Sequence, residues 1–241
     1  MGNAKSRDTT ENGNANSRGK PVTGNANSRD DPKLFALSSF RKGKLMHEFH
    51  HSFDITQDGE LDWADFNQAR QEICEMSGWS PSSKNYVETQ DMFVKIWRSL
   101  QKKADSDLNE KINKDEWVAM WEAYGKEQFD ENELAKKEKR QPKNMFPDWL
   151  EKYIEYKFRL YDRTGDGELD ADEFAFVLEK FRIKEKDARQ AFTLFSEANT
   201  KRVDLPYFKT LCYQYYLSED PADLGNFITG KLHFDTEEEE K

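Results

Sequence analysis

The sequence is poor in cysteine and in long hydrophobic runs. Among its 241 residues are only two cysteines, Cys74 and Cys212, too few for a disulfide framework, and we expect both to be reduced thiols in a core. No apolar run approaches the roughly 20 residues that span a bilayer, and no secretory signal is recognised. The net charge of −10 argues against nucleic acid as a partner. These absences favour a cytoplasmic protein.

Large apolar side chains are missing from the first part of the chain. Residues 1–31 contain no Leu, Ile, Phe, Trp or Tyr, and three near-copies (GNAKSR, GNANSR and GNANSR) recur there. Such a segment cannot bury enough apolar surface to order itself. We predict that residues 1–31 form a disordered tail and that residues 235–241, with the run EEEE, form an acidic one.

Acidic side chains, in contrast, are concentrated in three stretches of one pattern. DITQDGELDWAD at 54–65, DSDLNEKINKDE at 105–116 and DRTGDGELDADE at 162–173 fit the twelve-residue calcium loop of an EF-hand. Such a loop supplies oxygens from positions 1, 3, 5, 7 and 12, often a water at position 9, and a glycine at position 6 for the bend. Clustered carboxylates repel one another unless a cation lies among them, and the repetition makes a chance acidic turn a poor explanation.

The predicted calcium ligands occupy those positions in each loop, with position 7 contributing its backbone carbonyl. In the first loop they are Asp54, Thr56, Asp58, Glu60, Asp62 and Asp65. In the second loop they are Asp105, Asp107, Asn109, Lys111 and Glu116. In the third loop they are Asp162, Thr164, Asp166, Glu168, Asp170 and Glu173.

Three departures from the pattern carry separate predictions. The first loop ends on Asp65, one methylene shorter than the usual glutamate, so we expect weaker discrimination against Mg²⁺ there. The second loop lacks the glycine, so Glu110 must adopt a left-handed conformation at a cost of about 1–2 kcal/mol. A fourth stretch at 196–207 keeps the frame but has Ser, Ala and Tyr at positions 1, 3 and 12, and we predict that it holds no cation.

Apolar residues at helical spacing flank every loop and predict helix–loop–helix four times. An apolar residue at position 8 of each loop suits a short strand contact between paired loops: Leu61, Ile112, Leu169 and Val203. We therefore predict an all-α protein of two EF-hand pairs packed into a compact body. The first pair spans 32–126, a charged linker spans 127–147, and the second pair, with the degenerate fourth loop, spans 148–234.

Three further motifs have a functional and a plain structural interpretation. MGNAKS fits N-myristoylation at Gly2, and one acyl chain with a weakly basic tail predicts reversible membrane association. GNFITGKL at 225–232 has the spacing of a phosphate-binding loop but ends on Leu232 where Ser or Thr is needed, so we favour a packed segment. Three histidines at 47, 50 and 51 have zinc-compatible spacing, yet no further ligand is evident.

With these features, residues 34–234 resemble the calexcitins, invertebrate relatives of the sarcoplasmic Ca²⁺-binding proteins, and the insect juvenile hormone diol kinases share the pattern. The resemblance rests on the Asp-terminated first loop, DEWVAMW after the second loop, a complete third loop, a degenerate fourth and GNFITGK. It implies a compact helical protein with three working calcium sites in excitable cells. It also implies ion-channel modulation and GTP binding, of which this sequence itself shows nothing.

Three hypotheses about function follow. The first is a cytoplasmic calcium-binding signalling protein of calexcitin type that associates reversibly with membrane and modulates an ion channel or another protein partner. The second is a Ca²⁺/Mg²⁺ buffer of sarcoplasmic type, favoured because only six methionines are present and sensor grooves are Met-rich. The third is a nucleotide-handling enzyme. Because no catalytic residues are recognisable, we predict that the protein is not an enzyme and binds no nucleotide.

Overall fold

Helices make up the regular structure of residues 37–143 and 146–234, the part of the chain that the computed structural model describes. Within these ranges lie eight α-helices: α1 Ser39–Glu48, α2 Trp63–Met76, α3 Lys84–Ala104, α4 Lys114–Glu138, α5 Asp148–Tyr161, α6 Ala171–Lys180, α7 Glu185–Phe195 and α8 Leu205–Leu217. The predicted all-α class is confirmed. The predicted tails at 1–31 and 235–241 and the lipidation site Gly2 lie outside the described residues.

Each of the four loops leads into a helix, and the ninth residue of the loop is the N-cap of that helix. Asp62, Asn113, Asp170 and Asp204 are the N-caps of α2, α4, α6 and α8, where their side chains accept backbone N–H groups. In the first three loops the side chain of the twelfth residue accepts a hydrogen bond from the backbone N–H of the cap residue, which completes a capping box. The loop sequence therefore also specifies where the following helix starts.

The loops pair as the apolar residue at position 8 predicts. Leu61 and Ile112 exchange two backbone hydrogen bonds, each 2.9 Å from nitrogen to oxygen. The N–H of Leu169 donates to the carbonyl of Val203, also at 2.9 Å, in the second pair. The predicted architecture of two EF-hand pairs is confirmed.

Residues 127–147, which we predict to be a charged linker, are helical over their first part. Helix α4 continues through residues 127–138 and ends only at Lys139, whose φ of 53° is left-handed. This stretch holds no Gly or Pro, and Lys126 pairs with Asp130 one turn later, at 2.8 Å. Good helix formers thus extend the helix beyond Tyr124, its last large buried apolar residue. Arg140 then folds back onto Glu131, whose pKa its hydrogen bonds lower to about 2.

Aromatic side chains from both pairs fill one shared core. The ring of Phe53, before the first loop, lies 5.4 Å from that of Trp117 and 6.2 Å from that of Trp149. The ring of Trp121 stacks on that of Tyr216 at 4.9 Å. These contacts join elements of the first and second pairs, so the two pairs form one folding unit.

A buried ion pair crosses the same core. The Nζ atom of Lys157 on α5 lies 3.3 Å from Oε1 of Glu48 on α1, and the Tyr216 hydroxyl donates to the same oxygen at 3.2 Å. Glu48 is fully buried. Burial disfavours the charged form of Lys157, but the combined interactions with Glu48, Tyr153, Tyr161 and Cys212 outweigh burial, so the pKa of Lys157 is raised well above its usual value.

The cysteines and the apolar character of the helices bear on two of the predictions made from the sequence. Cys74 and Cys212 are both buried and free, as predicted. Among the described helices, none combines the length and the apolar character required to cross a bilayer.

Candidate metal centre

The three loops share one backbone shape, which places their carboxylates around a common point. In each, the residues at positions 4 and 6 have positive φ. These are Gln57 and Gly59, Leu108 and Glu110, and Gly165 and Gly167, with φ between 59° and 85°. The prediction for Glu110 is confirmed, since its φ of 67° is left-handed. Two non-glycine residues thus maintain in the second loop the bend that two glycines allow in the third.

The first carboxylate of every loop accepts two backbone N–H groups from this bend. The nitrogen–oxygen distances are 3.0–3.1 Å, and the contacts are Asp58 and Gly59 to Asp54, Asn109 and Glu110 to Asp105, and Asp166 and Gly167 to Asp162. Both oxygens of each carboxylate are thereby held toward the inside of the loop. This arrangement orients a negative charge without neutralising it.

The last carboxylate closes each loop from the other side. One oxygen accepts an N–H group near the loop start and the other accepts that of position 9, at distances of 2.8–3.3 Å. The contacts are Thr56 and Asp62 to Asp65, Ser106 and Asn113 to Glu116, and Arg163, Thr164 and Asp170 to Glu173. The first and twelfth residues therefore face the same loop interior in all three loops.

Asp65 makes the same type of contact with a shorter side chain. Its Oδ1 also accepts the Thr56 hydroxyl, at 2.9 Å, and the residue is 1% exposed, against 8% for Glu116. Burial raises the pKa of Asp65. At Glu116 burial acts in the same direction, but hydrogen bonds from Asn113 and Ser106 outweigh it and lower the pKa. The aspartate is thus drawn further into the protein than its counterpart in the second loop.

The second loop brings its acidic side chains closest together. Oxygens of Asp105, Asp107 and Glu116 lie within 4.8 Å of one another, and in the described part of the chain no other three His, Cys, Asp or Glu side chains meet so closely. Hard carboxylate and carbonyl oxygens are the ligands that Ca²⁺ and Mg²⁺ take in proteins. The donor set of the loops thus fits these ions, and the histidines at 47, 50 and 51 do not add a comparable cluster.

All the predicted ligands of the three loops lie within the described residues, although two of the contacts that hold them were not foreseen. The Ser106 hydroxyl donates to Glu116 at 2.8 Å, and Nε2 of Gln101 donates to Asp105 at 3.3 Å. Ser106 lies at a position whose side chain is not a ligand in the loop pattern, and Gln101 lies in the preceding helix. The contact between Gln101 and Asp105 could have been predicted only from their spacing, four residues apart on one helix face.

Position 7 links the paired loops through side chains, a role the ligand pattern does not include. Glu60 of the first loop forms an ion pair with Lys111 of the second. Glu168 of the third loop forms one with Arg202 of the fourth, at 2.6 Å. In each pair an acidic residue of the odd-numbered loop meets a basic residue at the same position of the even-numbered loop. These contacts are exposed and reinforce a pairing that the backbone already makes.

The fourth loop has a different backbone and joins its helices without carboxylates. Its left-handed residues are Glu197, Ala198 and Asn199, at positions 2, 3 and 4. The hydroxyl of Tyr207, at position 12, donates to the carbonyl of Phe195, the last residue of α7, at 2.8 Å. A hydrogen bond thus connects the two helices where a metal ion and a position-12 carboxylate would connect them in the other loops.

We expect Tyr207→Phe to lower the free energy of unfolding by about 1 kcal/mol, because the Phe195 carbonyl loses its side-chain donor. The loss should be the same with and without Ca²⁺, since no ion takes part. Urea unfolding checks it, with Tyr86→Phe as the control, because the Tyr86 hydroxyl makes no hydrogen bond among the described residues. A loss seen only in Ca²⁺ would contradict the assignment.

The glycines of GNFITGKL have packing roles. A Cβ on Gly225 would lie 2.2 Å from the backbone oxygen of Leu211, and Gly230 has a φ of 77° with Leu178 and Ile183 close by. The Oδ1 atom of Asn226 accepts a hydrogen bond from the buried Nζ of Lys44 at 2.8 Å, and the Lys231 ammonium lies over the Phe234 ring. The segment is held against α8 and α1 by close approach and side-chain contacts. This placement matches the packed segment favoured from the sequence.

Sequence and structure comparisons relate the chain to animal calcium-binding proteins. It is 27% identical over 199 residues to sarcoplasmic calcium-binding proteins I, III and IV of Branchiostoma lanceolatum, covering 81% of this chain and 99% of the relative. Calexcitin-1 of Caenorhabditis elegans is 24% identical over 187 residues, covering 76% of this chain and 82% of the relative. The structure of an amphioxus sarcoplasmic calcium-binding protein matches with a TM-score of 0.66 and 26% identity, covering 81% of this chain and 98% of that chain. No protein-family profile matches the sequence.

Proposed function

Because this chain belongs to the family of the sarcoplasmic calcium-binding proteins and calexcitin, as its sequence predicted, we propose that it binds three Ca²⁺ ions through the loops at 54–65, 105–116 and 162–173. One observation carries the proposal: in all three loops the first and last carboxylates face each other across the same set of inward-held backbone contacts. A divalent cation neutralises the repulsion that this arrangement leaves. The sarcoplasmic relatives are named for calcium binding.

Calorimetric titration of the full chain with Ca²⁺, together with native mass spectrometry, tests the stoichiometry. We expect three ions per chain and none bound by residues 196–207. A stoichiometry of two or fewer would overturn the assignment of three working loops. Uptake of no ion at all would overturn the function.

The closed core favours a buffering role. Within the described residues the exposed large apolar side chains are scattered along the chain: Val87, Leu108, Phe129, Leu134 and Leu194. The aromatic rings that a partner helix would need lie between the two EF-hand pairs. Apolar-dye fluorescence with and without Ca²⁺ tests this role: an unchanged signal supports a buffer, and a several-fold increase supports a sensor that opens a groove.

The N-terminal motif favours a second role, in signalling at a membrane. We propose that Gly2 carries a myristoyl group and that the protein is cytoplasmic with reversible membrane association, from which it reaches an ion channel or another protein partner. One acyl chain binds bilayers weakly, which suits reversibility. Mass spectrometry of the N-terminus and sedimentation with liposomes test this proposal. Equal sedimentation of the acylated protein and Gly2→Ala would overturn it.

The first loop is proposed to exchange Ca²⁺ with Mg²⁺ more readily than the third. Mg²⁺ requires compact six-fold geometry, whereas a bidentate glutamate at position 12 favours the larger coordination number of Ca²⁺. Asp65 is shorter than a glutamate and already drawn inward by its contacts with Thr56 and Asp62.

We expect Asp65→Glu to raise the Ca²⁺/Mg²⁺ affinity ratio of the first loop by about tenfold, because the longer side chain can reach the ion through both oxygens. Competitive calorimetry in Mg²⁺ measures the ratio. The matched control is the reverse change, Glu173→Asp, which should lower the ratio of the third loop. If neither ratio moves, the side-chain length at position 12 does not set the selectivity.

A further inference from the structure

A cavity of about 60 Å³ lies in the shared core, between the first and second EF-hand pairs. Its walls are formed by α1, α2 and α3 on one side and by α5, α6 and the segment after α8 on the other. One buried water needs roughly 10–15 Å³ of such space. The cavity therefore has room for a few waters or for one small organic molecule.

Aromatic rings line this cavity in an unbroken series. The ring of Phe53 lies 4.9 Å from that of Tyr153 and 5.8 Å from that of Phe66. The Phe66 ring lies 6.5 Å from that of Phe93, which in turn lies 5.2 Å from that of Tyr156. All five residues line the cavity. Because water would find few hydrogen-bonding partners among these rings, the walls suit an aromatic molecule better than water.

Polar atoms of two lining residues lack a partner. Neither the hydroxyl of Tyr156 nor Nδ1 of His47 makes a hydrogen bond to any described residue, although both atoms are buried. Burial raises the pKa of Tyr156, so its hydroxyl stays protonated and can donate. Burial also lowers the pKa of His47 to about 3, so this ring is uncharged at neutral pH. A buried polar group without a partner is unfavourable, and a bound molecule with one polar group would supply the partner.

The charged side chains at the cavity, in contrast, already have partners. The ammonium of Lys157 is paired with Glu48. Both oxygens of Asp65 accept backbone N–H groups of the first loop. An ion that entered the cavity would lose its hydration without gaining a counter-charge of its own. The walls thus favour a neutral molecule.

The cavity opens into a wide cleft of about 1110 Å³ beside the first loop. His47, His51, Phe181 and Ile183 line both spaces and so form the mouth. Residues Phe49–Phe53 at this mouth form a π-helix, a rare wide turn that is frequent at functional sites. Because His51 is exposed, its side chain can change rotamer within nanoseconds. A small molecule can therefore pass the mouth without unfolding of the protein.

We propose that this cavity binds a small neutral aromatic molecule of one or two rings, a phenol or an indole, whose hydroxyl or N–H group forms a hydrogen bond with the Tyr156 hydroxyl. The polar contact is assigned to Tyr156 and not to His47 because Tyr156 is only 5% exposed, whereas His47 lies at the mouth. This binding goes beyond the proposed calcium function and does not rest on it, since the cavity needs no bound ion.

Calorimetric titration of the full chain with p-cresol and p-xylene tests the site, because the two molecules have nearly the same shape and differ in one hydroxyl group. We expect both to bind at one site per chain, with a Kd for p-cresol of about 0.1–1 mM. Tyr156→Phe should weaken p-cresol about tenfold and leave p-xylene unchanged within about twofold. This variant should fold normally, because it removes a hydroxyl that has no partner among the described residues.

Tyr124→Phe is the matched control. It removes another buried hydroxyl without a described partner, from a residue that does not line the cavity, and should leave both affinities unchanged. Loss of p-cresol affinity in Tyr124→Phe equal to that in Tyr156→Phe, or no loss in Tyr156→Phe, would overturn the assigned hydrogen bond. Absence of saturable p-cresol binding up to about 5 mM would overturn the site.

Ala69→Leu places the binding in this cavity. Ala69 lines the cavity from α2, and a leucine there occupies the space that the ligand would take. Binding of both molecules should fall at least about tenfold, whereas Ala123→Leu, at an exposed position of α4, should not change it. Unchanged binding in Ala69→Leu would mean that the molecules bind elsewhere. Native mass spectrometry counts bound Ca²⁺ in the same samples, so failure of the calcium function is seen separately from failure of this site.

Discussion

Glu173→Gln is expected to weaken Ca²⁺ binding at the third loop by about 100-fold, because the site loses its bidentate charged ligand. The metal-free protein should be unaffected or slightly more stable. The amide oxygen can still accept the N–H groups of Arg163 and Thr164. The long contact from the Asp170 N–H, at 3.3 Å, is lost, but so is one source of carboxylate repulsion with Asp162. A large loss of Ca²⁺ affinity without a loss of stability in the metal-free protein would identify the residue as a ligand and not as a structural support.

The measurements are calorimetric titration and thermal unfolding with and without Ca²⁺. An ion at 100 times its dissociation constant stabilises the native state by about 2.7 kcal/mol, and this contribution should be missing for the third loop. Glu168→Gln is the matched control, the same chemical change in the same loop, since position 7 contributes only its backbone carbonyl. If Glu173→Gln retained full affinity, or if Glu168→Gln lost as much, the third loop would not bind Ca²⁺ in the proposed way.

Glu48→Gln is expected to destabilise the protein by about 3 kcal/mol, whether or not Ca²⁺ is present. Removing one partner of a buried ion pair leaves the other charge uncompensated. Here that charge is the ammonium of Lys157, which is 14% exposed and has Glu48 as its only carboxylate partner among the described residues. Urea unfolding with and without Ca²⁺ measures the loss.

The double variant Glu48→Gln, Lys157→Met distinguishes the ion pair from packing at the same place. Replacing both charges removes the uncompensated ammonium, so the double variant should be more stable than Glu48→Gln alone. The surface pair Lys126–Asp130, with half-exposed side chains, is the control, and Asp130→Asn should change stability by less than about 0.5 kcal/mol. If the double variant were less stable than both single variants, packing and not charge would explain the effect.

The Glu48–Lys157 ion pair also connects two of the four helix–loop–helix units. It joins α1, which precedes the first loop, to α5, which precedes the third. Trp117, just after the second loop, packs between Phe53 and Trp149, which belong to the first and third hands. A change in one loop therefore meets a shared core and not a separate domain. That arrangement agrees with a protein that stays closed when it binds its ions.

Local features were predictable because they depend on neighbours in the chain. The twelve-residue spacing of carboxylates identified the loops, and the missing glycine predicted the left-handed Glu110. Apolar periodicity predicted helices around each loop, and position 8 predicted the pairing of Leu61 with Ile112. The extent of α4 was underestimated, because a run of charged helix formers resembles a linker when apolar spacing alone is considered.

What the sequence by itself determined is thus the positions of the loop carboxylates, the helical class and the pairing of loops, all of which follow from patterns within a few turns or one repeat. Only the tertiary structure decided which distant residues meet. Glu48 and Lys157 are 109 residues apart, and Lys44 reaches Asn226 across 182 residues. The cleft beside the first loop likewise combines residues from five helices and the C-terminal segment. No local pattern encodes such contacts, because they depend on how amphipathic helices pack into one core.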